Sequence, residues 1–376
     1  MEKSPLVAAL GGLAMGWLML PSTPLPGIAM MGICGYAVYQ TVRRWSRWAV
    51  LWKQCGLTKD TMIPELLSRR RTEYGEVLRF SLPPGLSLSD FERKKEAVQA
   101  FTGKDVGFFV NNKNLIMEVY ADIEHFDYEY VDTGSDASFI VGRSRKGSDV
   151  EVDMSGEPHL LIAGQTGSGK SVLLRGIIAS LLQKDVRLHL IDLKGGVEFG
   201  VFRGSGKVAS FGRTANEALN ILNTIDLEVE RRYDLFYRHN ALDINEYRRK
   251  TKYVLKTEYL IVDEYAELMN EDEAKDLLKS VCARARGCAI YVILATQRPD
   301  KSVIDGLIKA NITNIIGLRA HNEVNSRVII DDGGLELLRG SGHGIYKSGG
   351  SKIEFQAPFI SAPRARQLIA QKEHAL

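Results

Sequence analysis

Cysteine is sparse and unpatterned in this chain. Only four occur in 376 residues, and Cys34, Cys55, Cys282 and Cys288 form no CxxC pair and have no histidine cluster beside them. That spacing excludes a zinc ribbon and a disulfide framework and reads as reduced thiols in a cytosolic or membrane protein. An excess of one charge is also missing: a net +3 does not by itself argue for nucleic acid. No internal repeat or low-complexity tract occurs. What remains is ordinary for a packed core, with 45% hydrophobic and 25% charged residues. The length allows one large domain with accessories, or two domains.

Long apolar runs are present only at the N-terminus. "LVAALGGLAMGWLML" (6–20) and "LPGIAMMGICGYAVY" (25–39) are uncharged and flank the breaker "PSTP". Each is near the lower limit of the roughly 17–25 residues that a spanning helix needs. A signal peptide is the first alternative, but Lys3 stands beside Glu2 and no A-x-A site follows. A buried soluble hairpin is the second. The favoured reading is two membrane spans joined by a short external turn. Residues 43–71 hold eight Lys/Arg against two Asp/Glu. Positive charge stays cytoplasmic, and Trp45, Trp48 and Trp52 suit the interface, which places both termini inside. Ala8, Gly12 and Gly16 recur at a spacing that lets helices approach closely. The expected organisation is a transmembrane hairpin (1–42), a basic juxtamembrane segment (43–71), a small α+β domain (72–145) and a cytoplasmic motor domain (146–376).

Within the small domain, 77–103 reads as a strand, a Pro-Pro-Gly turn and a helix, with Ser89 as N-cap and Glu92 three residues later. Residues 106–120 read as a hairpin turning on Asn111–Asn114. No catalytic signature falls here.

"HLLIAGQTGSGKSVLLRGIIASLL" (159–182) places G-x-x-x-x-G-K-S at 164–171 between an apolar strand and an apolar helix. That is the context a phosphate-binding loop requires. Backbone N–H groups of Gly164, Gln165, Thr166, Gly167, Ser168 and Gly169 would wrap the phosphates of ATP. The helix end that carries Ser171 and Val172 adds positive potential. Lys170 would reach the β- and γ-phosphates, and Ser171 would ligate Mg²⁺.

"EYLIVDEYAELM" (258–269) supplies a buried strand that delivers two carboxylates at its C-terminal end. Asp263 would join the Mg²⁺ shell, and Glu264 would act as general base. A further strand, "VRLHLIDLKGG" (186–196), ends in Asp192 and Lys194, for which a structural turn is the favoured role. "AIYVILATQRP" (289–299) is expected to pair beside the Asp263 strand and to aim Thr296 and Gln297 at the γ-phosphate and the attacking water. The fold class is therefore α/β, a RecA-like P-loop ATPase with an inserted strand and an extra glutamate.

Four stretches carry a more specific signal: "PHLLIAGQTGSGKSV", "YLIVDEYAELM", "ILATQRPDKSVIDGLIKANI" and "NSRVIIDDGGLELLRGSGHGIY". In this order and spacing, over about 150–365, they resemble the motor domain of the FtsK/SpoIIIE family of DNA translocases. With the N-terminal hairpin and a single motor, the layout is similar to the TcpA-like coupling proteins of Gram-positive conjugative elements. The resemblance implies a homohexameric ring with ATP at its interfaces, DNA in the pore, and relaxosome or type IV secretion components as partners. It also implies an arginine reaching into the neighbour's site, for which Arg327 matches the family region and Arg298 and Arg319 are alternatives. No long linker or DNA-reading winged helix of the chromosome-segregating members is seen, which favours mobile-element transfer. A phosphate track for DNA is sought in Lys301, Lys309, Arg319, Arg339 and Lys347, expected on loops. A type VII protein-secretion ATPase and a non-catalytic nucleotide-binding scaffold are the alternatives.

Overall fold

The computed structural model describes residues 33–36, 47–121, 125–300, 303–304 and 306–373. These fall into two compact units, one on each side of the 122/123 boundary. The boundary is not at 145/146, because the strands formed by 138–144 and 149–153 hydrogen-bond into the large sheet of the second unit.

The small unit has strands β1 (Leu66–Thr72), β2 (Gly75–Ser81), β3 (Val106–Asn111) and β4 (Asn114–Tyr120), ordered β1-β2-β4-β3 and antiparallel throughout. Two short helices, α1 (Leu88–Glu92) and α2 (Lys95–Thr102), connect β2 to β3. The β3–β4 hairpin turns at the expected place: Asn111 pairs with Asn114, and Asn112 and Lys113 take φ of 45° and 62°. Two positive φ values match the twist of an antiparallel pair. The cap of α1 differs from expectation. Ser87, not Ser89, is the N-cap, and Asp90 rather than Glu92 closes the box by accepting from the Ser87 N–H at 2.8 Å.

The 43–71 segment is also reassigned. Residues 47–54 are helical, and Trp52 is wholly buried against Phe80 and Phe91 at 5.2 and 5.8 Å. Trp48 stacks on Trp52 at 5.8 Å. Trp52 thus belongs to the core of the small unit, and the half-buried Trp48 packs against that core, in place of the interfacial role expected of both. Part of the basic run is paired as well, with Arg69 forking Glu76 at 2.9 and 2.6 Å. Among the described residues, no helix is long and apolar enough to cross a membrane. The two apolar runs lie, apart from 33–36, outside the described residues, as do Trp45 and Lys301.

The second unit is built on a ten-stranded sheet ordered β6-β5-β14-β13-β12-β7-β11-β10-β8-β9. Its strands are β5 (Ser138–Ser144), β6 (Asp149–Asp153), β7 (Leu160–Ala163), β8 (Val186–Asp192), β9 (Val208–Gly212), β10 (Thr257–Asp263), β11 (Ile290–Thr296), β12 (Asn314–Leu318), β13 (His343–Ser348) and β14 (Ser351–Gln356). The six from β12 to β9 are parallel, and the other four extend them antiparallel. Every residue of β7, β10, β11 and β12 is buried, as a sheet covered on both faces demands.

Alternation along the strands feeds two cores. Leu260, Val262, Val292 and Leu294 face α4 (Ala215–Arg238) and α6 (Asp272–Arg284), whereas Tyr259, Ile261, Ile293 and Ala295 face α3 (Lys170–Leu181). In α4 the buried set Ala218, Ile221, Leu222, Ile225 and Val229 follows helical spacing, so one stripe meets the sheet. Helices α5 (Ile244–Thr251), α7 (Gly306–Asn311), α8 (Glu323–Ile330) and α9 (Ala362–Glu373) complete the unit.

Strand β11 lies between β7 and β10, the inserted position expected for it. Cys55, Cys282 and Cys288 are free and buried, and burial pushes the Cys282 thiol up to about 12.

Candidate nucleotide-binding site

The parallel register sets the site. Ala163 pairs with Thr296, Ala295 with Asp263, and Asp263 with Asp192, so four strands end at one level. The residues just beyond that level are Gly164, Gln297, Glu264 and Leu193. Such an edge at strand C-termini is where α/β folds build sites.

From β7 the chain turns through 164–169 into α3. Gly167 and Gly169 take φ of 79° and 100°, in the left-handed region that glycine enters freely. At Gly169 the neighbour also enforces the residue type: an added Cβ would sit 2.2 Å from the backbone N of Gly342. The loop is pinned by Gln165 N–H to Arg319 O at 2.9 Å and by Gly342 N–H to Ser168 O at 2.8 Å. Its helix presents unpaired N–H groups at the N-terminal end, the usual anion cradle.

Lys170 and Asp263 are both buried, and the Lys170 ammonium donates to Asp263 Oδ1. Asp263 Oδ2 and Ser168 Oγ are buried without a hydrogen-bond partner. An isolated buried carboxylate oxygen is costly, so a site that leaves one unpaired suits a cation ligand.

Glu264 leaves β10 with φ 59° and ψ 57°, a left-handed placement that is uncommon for a residue with a Cβ. Its buried carboxylate is held by four contacts. Thr296 Oγ1 donates at 2.7 Å, and the Gln297 N–H donates to both oxygens at 3.2 and 3.0 Å. Lys194 Nζ stands 3.5 Å from Oε2. The Gln297 side chain crosses to the loop and accepts from Thr166 Oγ1 at 3.0 Å.

A cleft of about 640 Å³ opens on this edge, lined by Gln165, Gly167, Gly169, Lys170, Ser171, Val172 and Gln297. Asp263 and Glu264 stand behind that lining, bonded to Lys170 and to the Gln297 backbone. The opposite wall escaped the sequence reading. Residues 125–128 pair with 357–360, through Phe359 N–H to Phe126 O at 2.8 Å and Tyr128 N–H to Phe359 O at 2.9 Å. That strap brings Phe126, Pro358 and Phe359 to the cleft. Its two halves lie more than 200 residues apart, so no local pattern announces them.

Other expectations divide. Asp192 is a structural turn residue, accepting from the N–H groups of Lys194, Glu198 and Phe199 at 3.1, 2.8 and 3.0 Å. Arg327 lies on α8, away from the cleft lining, in an i,i+4 pair with Glu323 at 2.6 Å. Arg298 pairs with Glu267 at 3.0 Å, and Arg319 donates to Arg339 O at 3.4 Å. Two supposed loop cations are not on loops: Lys309 is in α7 and Lys347 in β13. Both grip Asp331, at 2.6 and 2.7 Å, because the turn after α8 comes back against them.

Comparison with known proteins follows the same lines. Residues 128–260 match the FtsK/SpoIIIE family. The chain is 34% identical over 283 residues to the DNA translocase FtsK of Oceanobacillus iheyensis, covering 70% of this chain and 36% of that protein. It thus spans about a third of the length of the curated relatives it matches. In three dimensions it is similar to the pCW3 conjugation coupling protein TcpA in a structure with ATPγS, with TM-score 0.63 and 23% identity, over 88% of this chain and 99% of that one. The cytoplasmic domain of the Thermomonospora curvata type VII secretion ATPase EccC gives TM-score 0.56 and 23% identity, over 62% and 31% of the two chains. The fold is that of an α/β P-loop ATPase motor, and the chain carries an FtsK/SpoIIIE-family domain.

Proposed function

We propose that the chain is a membrane-anchored ATPase that moves DNA, serving as the coupling motor for conjugative transfer of a plasmid or integrative element. One observation carries the chemistry: Lys170, Asp263, Glu264 and Gln297 converge at the C-terminal edge of a parallel sheet, beside a cleft of nucleotide size. The translocase relatives supply the DNA, and the coupling protein's fold supports the conjugative role. Residues 164–172 would hold the phosphates of ATP, with Lys170 exchanging Asp263 for the β- and γ-oxygens. Ser171 and the unpaired Asp263 oxygen suit Mg²⁺, which would neutralise phosphate charge. Glu264 would take a proton from water, and Gln297 would register the γ-phosphate through its link to Thr166. Phe126 and Phe359 offer rings to the base. Arg327 is assigned to the neighbouring subunit's site in a homohexamer, with the motor cytoplasmic and the hairpin in the cell membrane.

The similarity to EccC favours one second reading, protein export. The deciding experiment is ATPase activity of the full chain in lipid nanodiscs, with and without duplex and single-stranded DNA. Stimulation by DNA is expected. Hydrolysis unchanged by either DNA overturns the translocase reading, and stimulation by an exported-protein signal peptide instead establishes the second. Lys170→Ala should abolish ATP binding, since the loop loses its cation. Glu264→Gln should keep ATP bound and lower turnover about 10²–10⁴-fold, the usual size of a lost general base. Full turnover in Glu264→Gln removes that residue from the mechanism.

A further inference from the structure

The turn after β8 has a role that its sequence does not reveal. Strands β8 and β10 are parallel neighbours with Asp192 opposite Asp263, and adjacent strands run about 4.8 Å apart. Beyond the strand ends, the β8 chain reverses through Gly195 and Gly196, both at φ 79°. The buried Asp192 carboxylate fixes this reversal by taking three backbone N–H groups, that of Lys194 among them. The Lys194 backbone is therefore set by a buried anchor, and its side chain extends along the strand ends to Glu264.

We propose that Lys194 is a positioning residue for Glu264, holding the carboxylate of the general base in place from the β8 side. The inference rests on the ATPase reading above. Its basis is the distribution of partners around that carboxylate. Thr296 and Gln297 both approach from β11, one strand to one side. Lys194 approaches from β8, one strand to the other side, at 3.5 Å from Oε2. The base is thus braced across three strands. Without Lys194 it is held from the β11 flank only, by Thr296 and Gln297, and it leaves β10 with a left-handed backbone, φ 59° and ψ 57°. Lys194 is not part of the cleft lining, so its loss should leave ATP affinity intact. Misplacing a catalytic group by about 1 Å can cost on the order of 10²-fold in rate.

The test is a double-mutant cycle on the full chain, with turnover and ATPγS affinity measured separately. Lys194→Met should lower kcat about tenfold or more, with ATPγS affinity within about twofold of the parent, and Lys194→Arg should restore most of the rate. In the Glu264→Gln background, Lys194→Met should cause no further loss, because a residue acting through Glu264 has nothing left to position. Lys194→Gln serves if the Met variant does not fold. An unchanged or raised kcat overturns the proposal. An equal further loss in the Glu264→Gln background does so too, as does ATPγS affinity weakened about tenfold, which would make Lys194 a phosphate ligand. A parent chain without ATPase activity overturns the functional reading and this inference together. An active parent with any of the other contrary results overturns this inference alone.

Discussion

His159 takes φ 68° with no exposed surface, one residue before β7. Its Nε2 donates to Cys282 O at 2.9 Å, and its Nδ1 accepts from the Val292 N–H at 3.0 Å, so both ring nitrogens are used only when the imidazole is neutral. Burial pushes its pKa down from the ordinary 6.5 to about 4, outweighing the Cys282 hydrogen bond. A depressed histidine binds more protons unfolded than folded. Its contribution is therefore complete above pH 6.5 and is lost as pH falls toward 4. The full effect is about 3 kcal/mol, at about 1.4 kcal/mol per unit. Urea midpoints should fall through that window in the parent, and His159→Asn should flatten the dependence while lowering stability at pH 7.5. A midpoint in the parent that does not change from pH 7 to 4 would contradict the account. Gly169 makes a second prediction. Alanine there meets Gly342 backbone at 2.2 Å and cannot hold φ 100° without strain, so Gly169→Ala should weaken ATPγS binding at least about tenfold by displacing the loop. Calorimetric titration reads that directly.

Helix ends show local chemistry acting through an element. The N-terminus of α4 carries a complete capping box: Thr214 Oγ1 accepts from the Glu217 N–H at 3.3 Å, and Glu217 accepts from the Thr214 N–H at 3.1 Å. Thr214→Ala should cost about 1 kcal/mol, the common value for a lost N-cap, seen as a lower urea midpoint with turnover unchanged. The same chemistry at α1 shows the limit of pattern reading. Ser87, Ser89, Asp90 and Glu92 offer two registers for one box, and the folded chain takes the one that joins Ser87 to Asp90. Trp52 is a similar case. A tryptophan in a basic run suits a membrane interface or a core equally, and the rings of Phe80 and Phe91 decide for the core.

At the scale of the whole molecule, the assembly proposal places Arg327 in the neighbour's site. Its present partner, Glu323, is an exposed i,i+4 residue, and such pairs are worth only about 0.3–0.5 kcal/mol, so the side chain is readily released. Hydrolysis should then rise steeply with protein concentration. Mixing Arg327→Ala with Lys170→Ala subunits should recover activity, because some interfaces join an intact loop to an intact arginine. An in-trans arginine is worth roughly 10³–10⁵ in comparable phosphoryl-transfer systems. No recovery in mixtures shown to contain mixed assemblies would remove Arg327 from that role. DNA stimulation, carried by contacts to phosphates, should fall steeply with salt as counterion release weakens. A salt series with equal lengths of unrelated duplexes measures it.

Parts whose physics is local are legible along the chain. G-x-x-x-x-G-K-S needs its glycines and its following helix wherever it occurs, and an apolar run ending in Asp263-Glu264 reads as a buried parallel strand. The β3–β4 turn and the strand that ends in Asp192 are legible on the same grounds, since hydrophobic period and turn residues act within a few positions; the place of "YVILAT" beside β10 follows instead from the P-loop ATPase fold class, and the strand order agrees with it. Features that long-range pairing controls emerge only in the folded chain, and strand pairing is the chief of them. Folding drew 138–153 into the large sheet and placed the 125–128 and 357–360 segments against each other at the cleft. It closed Lys309 and Lys347 on Asp331. It also turned Lys194, two residues past an ordinary strand end, toward Glu264. Strand order and register fix these neighbours, and both arise from contacts between residues far apart in the chain, which no spacing within one segment records.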